Sequence, residues 1–212
     1  MKEWPEDHPK AKLMARKRGA ILDAAREAFL CDGYGGTSMD MVAAKAGVSI
    51  MTLYRHARTK DDLFEAVVSQ ACAPAAETED ARAIEALMQK PLVDILSFIA
   101  VRFRTRLTRP ETLGLLRAVM VEHRHFPHLG KMAFQGLIAG HVDQMIEFIG
   151  TRPEAADVSE ADRATLSATF FDHLLGADQV RALLGLPIDD GEHDRSLARR
   201  AARGFVDGLR RA

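Results

Sequence analysis

Between Thr37 and Lys60 the chain starts a helix three times. Thr37 or Ser38, then Ser49, then Thr59 each stand where a side-chain oxygen can accept from a backbone N–H of the first turn. Asp40 follows the first of these caps, and Asp61 with Asp62 the last, where the helix dipole favours acid. Gly47 stops the middle helix, because glycine adopts positive φ without strain. Two short helices joined by a glycine turn form a helix-turn-helix arrangement. Helices this short are not stable alone, so longer helices must support them.

The rest of the chain supplies those helices. Ile21, Ala24, Ala25, Ala28 and Phe29 recur at helical spacing, and the pattern ends at Gly33, Gly35 and Gly36. Leu63, Phe64, Val67, Val68 and Ala71 give a helix after Thr59 its apolar face. Pro74 and the acidic stretch behind it interrupt the pattern. Pro91 opens a helix to about Leu107 through Leu92, Ile95, Leu96, Ile99 and Phe103. Pro110 precedes another, with Leu113, Leu116, Met120 and Val121. Pro127 and Gly130 mark a joint before a helix over about 131–149. A long helix is expected from near Ser159 to Leu184, and a last one over about 195–210. No strand pattern or internal repeat appears. The expected fold is all-α with about nine helices.

Charge is unevenly spread. Residues 1–60 carry 11 Lys/Arg against 7 Asp/Glu, whereas the whole chain has a net charge of −1. A basic first part on an acidic body implies an anionic partner for the first part alone. Residues 1–9 read as a disordered arm, with no apolar segment of a secretory signal. No apolar run reaches the ~20 residues that span a bilayer. Cys31 and Cys72 belong to no CxxC pattern, which fits a reducing compartment. The expected location is the cytoplasm.

The third short helix, over about 50–56, mixes apolar, hydroxyl, aromatic and basic side chains. Val48 and Leu53 are its natural inward residues, which turns Ile50, Met51, Thr52, Tyr54 and Arg55 outward. Such a helix packs by a thin edge and leaves a face for the major groove. Arg55 can pair in bidentate fashion with guanine, and Thr52 offers a hydroxyl and a methyl. Tyr54, His56 and Lys60 can donate to flanking phosphates. Ile50 and Met51 would meet shape or a thymine methyl.

The stretch from Gly33 to Phe64 resembles the DNA-binding domain of TetR family regulators. It has Gly33-Tyr34, Thr37-Ser38, Ala46-Gly47-Val48-Ser49, Thr52-Leu53-Tyr54, His56 and Lys60-Asp61-Asp62-Leu63-Phe64. Ile50 and Met51 depart from the basic residue and glycine common there, and Ala57 from an aromatic. The resemblance implies a helix-turn-helix domain over 10–57 and an effector-binding and dimerisation domain over 58–212. It implies DNA contacts from Thr37, Ser38, Ser49, Ile50, Met51, Thr52, Tyr54, Arg55, His56 and Lys60. The partner would be double-stranded operator DNA, bound by a homodimer acting as a repressor released by a small-molecule effector. The stretches 115–134 and 176–187 resemble the AefR-like subgroup of C-terminal domains. An effector site is expected around Phe98, Arg102, Met120, His123 and Phe134. A dimer face is expected from Phe170, Phe171, Leu174, Leu175, Val180 and Val206.

Two other readings compete. Glu122, His123, His125 and His128 include metal-ligand types, but Pro127 disrupts helical spacing through them. The same region read as an acid–base pair lacks a nucleophile or phosphate loop. No enzymatic activity, cofactor or metal is therefore expected. Arg102 and Arg104, mid-helix among apolar residues, are either solvated or counter-ions for an acidic effector.

Overall fold

The computed structural model describes residues 8–73, 87–188 and 191–212, apart from the side chain of Lys10. Most of the expected N-terminal arm, the break at Pro74 and part of the stretch before the last helix lie outside the described residues. Among those described, nine helices and no strand are found, as the periodicity predicts. They are α1 (Pro9–Gly36), α2 (Met39–Lys45), α3 (Ile50–His56), α4 (Lys60–Cys72), α5 (Leu92–Thr108) and α6 (Pro110–Val121). α7 covers 127–150 and includes a π turn, Gln135–Ala139; α8 is Glu160–Leu183 and α9 is Gly191–Leu209. None of the described helices is long and apolar enough to cross a membrane.

The chain forms two compact units: 8–73 with 114–132, and the remainder. The first unit therefore takes in all of α4 and the 114–132 segment, beyond a boundary at residue 57.

In the first unit, α1 packs on α2 and α4, and α2 packs on α3. α1 bends at Gly33, whose φ of 69° is open to glycine. Ile21, Ala25, Phe29, Leu53, Phe64 and Val68 make the core. Phe29, Tyr34, Phe64 and Phe126 meet edge to face or stacked, with centroids 5.0 Å apart for Phe29–Phe64 and 5.2 Å for Tyr34–Phe126.

In the second unit, α9 packs on α5 and α8, and α8 packs on α7. Arg104 is only 3% exposed there. Its Nε donates to Asp194 Oδ1 at 2.7 Å, its Nη1 to the Leu174 carbonyl at 2.6 Å and its Nη2 to Asp178 Oδ2 at 3.1 Å. Arg104 is thus an internal tie and not a solvated cation. α8 breaks at Gly176 (φ 47°), and such a break frees the carbonyls before it. The guanidinium satisfies one of them.

His141 is half-buried, with its ring 5.4 Å from Phe103 and 6.2 Å from Phe171. Burial, and then the charge of Arg106, push its pKa below the ordinary 6.5. The neutral ring is the native form. Its contribution is complete above the unfolded pKa and is lost as pH falls through the lower folded one. Melting temperature should drop between pH 7.5 and pH 5.5, and His141→Gln should reduce that drop. A variant with the parent's pH dependence would show that His141 protonates freely in the fold.

Candidate nucleic-acid interface

Each short helix begins as the sequence requires. Ser38, not Thr37, caps α2, and its Oγ accepts from Met41 N at 3.2 Å. Thr37 is buried, and its hydroxyl donates to the Gly33 carbonyl at 2.8 Å, holding the bend of α1. It is therefore turned inward, away from a surface contact. Gly47 makes the turn with φ 63°. Ser49 caps α3, accepting from Thr52 N at 3.2 Å, and the two hydroxyls lie 2.9 Å apart. Thr59 and Asp62 form a capping box at the start of α4.

α3 hangs on one residue. Leu53 is 0% exposed and is the helix's one buried side chain. Met51 is 63% exposed, Tyr54 46%, and Arg55 and Ser49 are also exposed. Ile50, Thr52 and His56 are half-buried. These outward residues bring a guanidinium, a phenol and hydroxyls to the exposed side of α3. Burial, then Arg18 and Lys17, lower the His56 pKa.

Lys60, expected as a phosphate donor, is engaged within the protein. Its Nζ donates to the Tyr34 carbonyl at 2.8 Å and lies 4.3 Å from the centre of the Tyr34 ring. The Tyr34 hydroxyl donates to Asp61. Burial, followed by that bond and the negative charge of Asp61 and Glu122, raises the Tyr34 pKa. The first turn of α4 thus grips the end of α1 through both Lys60 and Asp61.

The other expected residues divide. Met120, His123 and Phe134 are exposed, while Phe98 and Arg102 are half-buried. Met120 and His123 belong to the first unit and the other three to the second. Phe170, Phe171 and Leu174 are buried inside the protomer, a correction to their placing on a pairing face. The apolar stripe of α8 is broad enough that its centre fills the unit's own core. Leu175 and Val206 are half-buried and Val180 is exposed. A groove of about 480 Å³ runs along α8 and α9, lined by Leu166, Thr169, His173, Leu197, Arg200 and Gly204 among others. His141 escapes a reading of the sequence, although its spacing from Met145 and Ile149 marks the same helix face.

The histidine cluster is dispersed into separate bonds. His125 pairs with Glu122 at 3.1 Å, His128 with Glu65 at 2.8 Å, and His123 Nδ1 lies 2.9 Å from the Met120 carbonyl. Among the described residues no three donors gather around one point.

A capped, glycine-turned helix pair presenting polar side chains on a thin apolar stem defines a helix-turn-helix DNA-binding regulator. Residues 21–67 match the profile of bacterial regulatory proteins of the TetR family, and residues 94–208 match that of the AefR-like transcriptional repressor C-terminal domain. The chain belongs to the TetR family. It is 43% identical over 54 residues to the HTH-type transcriptional activator FasR of Mycolicibacterium smegmatis. That match covers 26% of this chain and 25% of FasR. The fold is similar to a TetR-family transcriptional regulator from Mesorhizobium loti (TM-score 0.72, 24% identity, 92% of this chain and 96% of that one). It is also similar to the flavonoid-responsive regulator FrrA (TM-score 0.65, 21% identity, 91% and 96%).

Proposed function

We propose that this regulator is a homodimeric repressor, bound to a pseudo-palindromic operator and released by a small-molecule effector. The observation that carries the reading is the exposed side of α3, with Met51, Tyr54 and Arg55 on the buried stem of Leu53. Two copies of α3 enter successive major grooves, with half-sites about one helical turn or a multiple apart. Repression is favoured over activation because the repressor profile covers the body of the chain, whereas the likeness to the activator FasR is confined to the head. The groove along α8 and α9 supports pairing, with Leu197, Arg200 and Gly204 at the surface a partner would meet. Among the expected effector contacts, Phe98 and Arg102 keep partial burial, and His141 joins them as a polar group in the same unit. The effector acts only through its different affinity for the two states of the dimer, a coupling of about 1–3 kcal/mol.

The test is a gel shift on DNA upstream of the protein's own gene, with sedimentation to read the dimer. Arg55→Ala should reduce the preference for operator over scrambled duplex by about 1–3 kcal/mol, and affect binding to the scrambled duplex less. Equal losses on both would assign Arg55 to the phosphates. Absence of any shift by the parent protein would remove the operator reading itself.

A further inference from the structure

Met51 is the most open methionine among the described residues, at 63%, ahead of Met14, Met41 and Met120. It is also the methionine that stands on α3. Leu53 seats that helix, so the Met51 side chain carries none of its packing. A change confined to this side chain therefore leaves the fold in place and alters the surface offered to DNA. The two thiols stand elsewhere, with Cys31 exposed on α1 and Cys72 buried in α4. Met51 is the sulfur that the reading helix itself presents to solvent.

A thioether is soft and apolar, and suits a thymine methyl. Its sulfoxide is polar and chiral. The added oxygen carries partial negative charge and no proton, so it donates nothing to a phosphate and is repelled by one. Oxidation at Met51 thus turns a favourable contact into an unfavourable one. A hypohalous acid does this in a balanced step. The sulfur lone pair attacks the chlorine of hypochlorous acid, and hydroxide leaves. Water then displaces chloride from sulfur and loses both its protons, one of them to the hydroxide. One thioether and one hypochlorous acid give one sulfoxide, one chloride and one proton. Sulfur loses two electrons and chlorine gains them. Methionine sulfoxide reductases reverse the change.

We propose that Met51 is a reversible oxidation site whose sulfoxide, formed by a hypohalous acid, switches off DNA binding by α3. The proposal rests on the operator-binding reading. It gives the regulator an oxidant as a second input, separate from the small-molecule effector.

The test uses the full-length protein in a C31S background, which removes the exposed thiol. After treatment with hypochlorous acid, peptide mass spectrometry should find an added oxygen on Met51. Operator affinity should fall about tenfold or more, since burying a methionine side chain is worth at least that factor. Circular dichroism should stay the same, and methionine sulfoxide reductase should restore binding. M51L, close in volume and free of sulfur, should bind as the parent does and keep its affinity after treatment. M51Q, polar and of similar length, should bind weakly without any oxidant. Operator DNA present during treatment should shield Met51. The proposal is overturned if M51L loses affinity as steeply as its parent, or if the parent binds unchanged with Met51 oxidised. Affinity lost together with the helical signal, no recovery with the reductase, tight binding by M51Q, or no shielding by operator DNA would each overturn it as well. Untreated protein that binds no duplex would end the operator reading first, and this one with it.

Discussion

Replacing Arg104 with alanine should cost the second unit about 3–5 kcal/mol, because it removes a buried guanidinium from two half-buried carboxylates rather than trimming a surface ion pair. Asp178 and Asp194 would lose the guanidinium between them, and the Leu174 carbonyl would lose its donor at the Gly176 break. The three partners come from α8 and α9, so their separation from α5 loosens the three helices together. Urea unfolding would read the loss. R104M with D178N and D194N should recover part of the stability, since the carboxylate charges are removed with their partner. A cost below about 1 kcal/mol would show that water replaces the guanidinium with little penalty.

Leu53→Ala is the second large effect. Removing a fully buried leucine costs about 2–5 kcal/mol, and α3 has no other buried side chain to hold it. The reading helix should detach from α2, and binding should fail on operator and scrambled DNA alike. That distinguishes it from Arg55→Ala, which should lower discrimination first. Leu53→Met, nearly equal in volume, should keep both stability and binding. If Leu53→Ala still recognises the operator with the parent's affinity, α3 is fixed by its caps and by DNA rather than by its stem.

The head is largely legible in the sequence because its signals are local. Ser49, Gly47 and Thr59 act within a turn of where they stand, so caps and stops follow from residue type. Even the inward choice of Leu53 follows from spacing. Lys60 reads as a surface donor because lysine donates to phosphate, and Thr37 reads as a cap, placed among the DNA contacts by the family resemblance. Their actual partners, the Gly33 and Tyr34 carbonyls, depend on a bend and on a residue 26 positions away. Arg104 shows the same limit more strongly. Its partners are 70 to 90 residues distant in sequence, and an arginine on a helix gives no sign of such a tie. Phe170, Phe171 and Leu174 read as a pairing face because a broad apolar stripe does not say which part a protomer covers for itself.

The π turn in α7 sets what can vary along that helix. Ala133, Leu137, Met145 and Ile149 are buried, and half-buried His141 completes a series at steps of four. In a regular α-helix each step of four overshoots a full rotation by about 40°. Over the steps from Ala133 to Ile149 the series would wander almost to the opposite side of the rod. The wider turn at Gln135–Ala139, with its i to i+5 hydrogen bonds, takes up part of that overshoot. It acts as a phase correction. Apart from buried Leu137, side chains in 135–139 can therefore vary more readily than the number of residues. Deleting one residue there would rotate His141, Met145 and Ile149 by about 100° relative to Ala133. Across related chains, this helix should tolerate altered spelling but conserve its count.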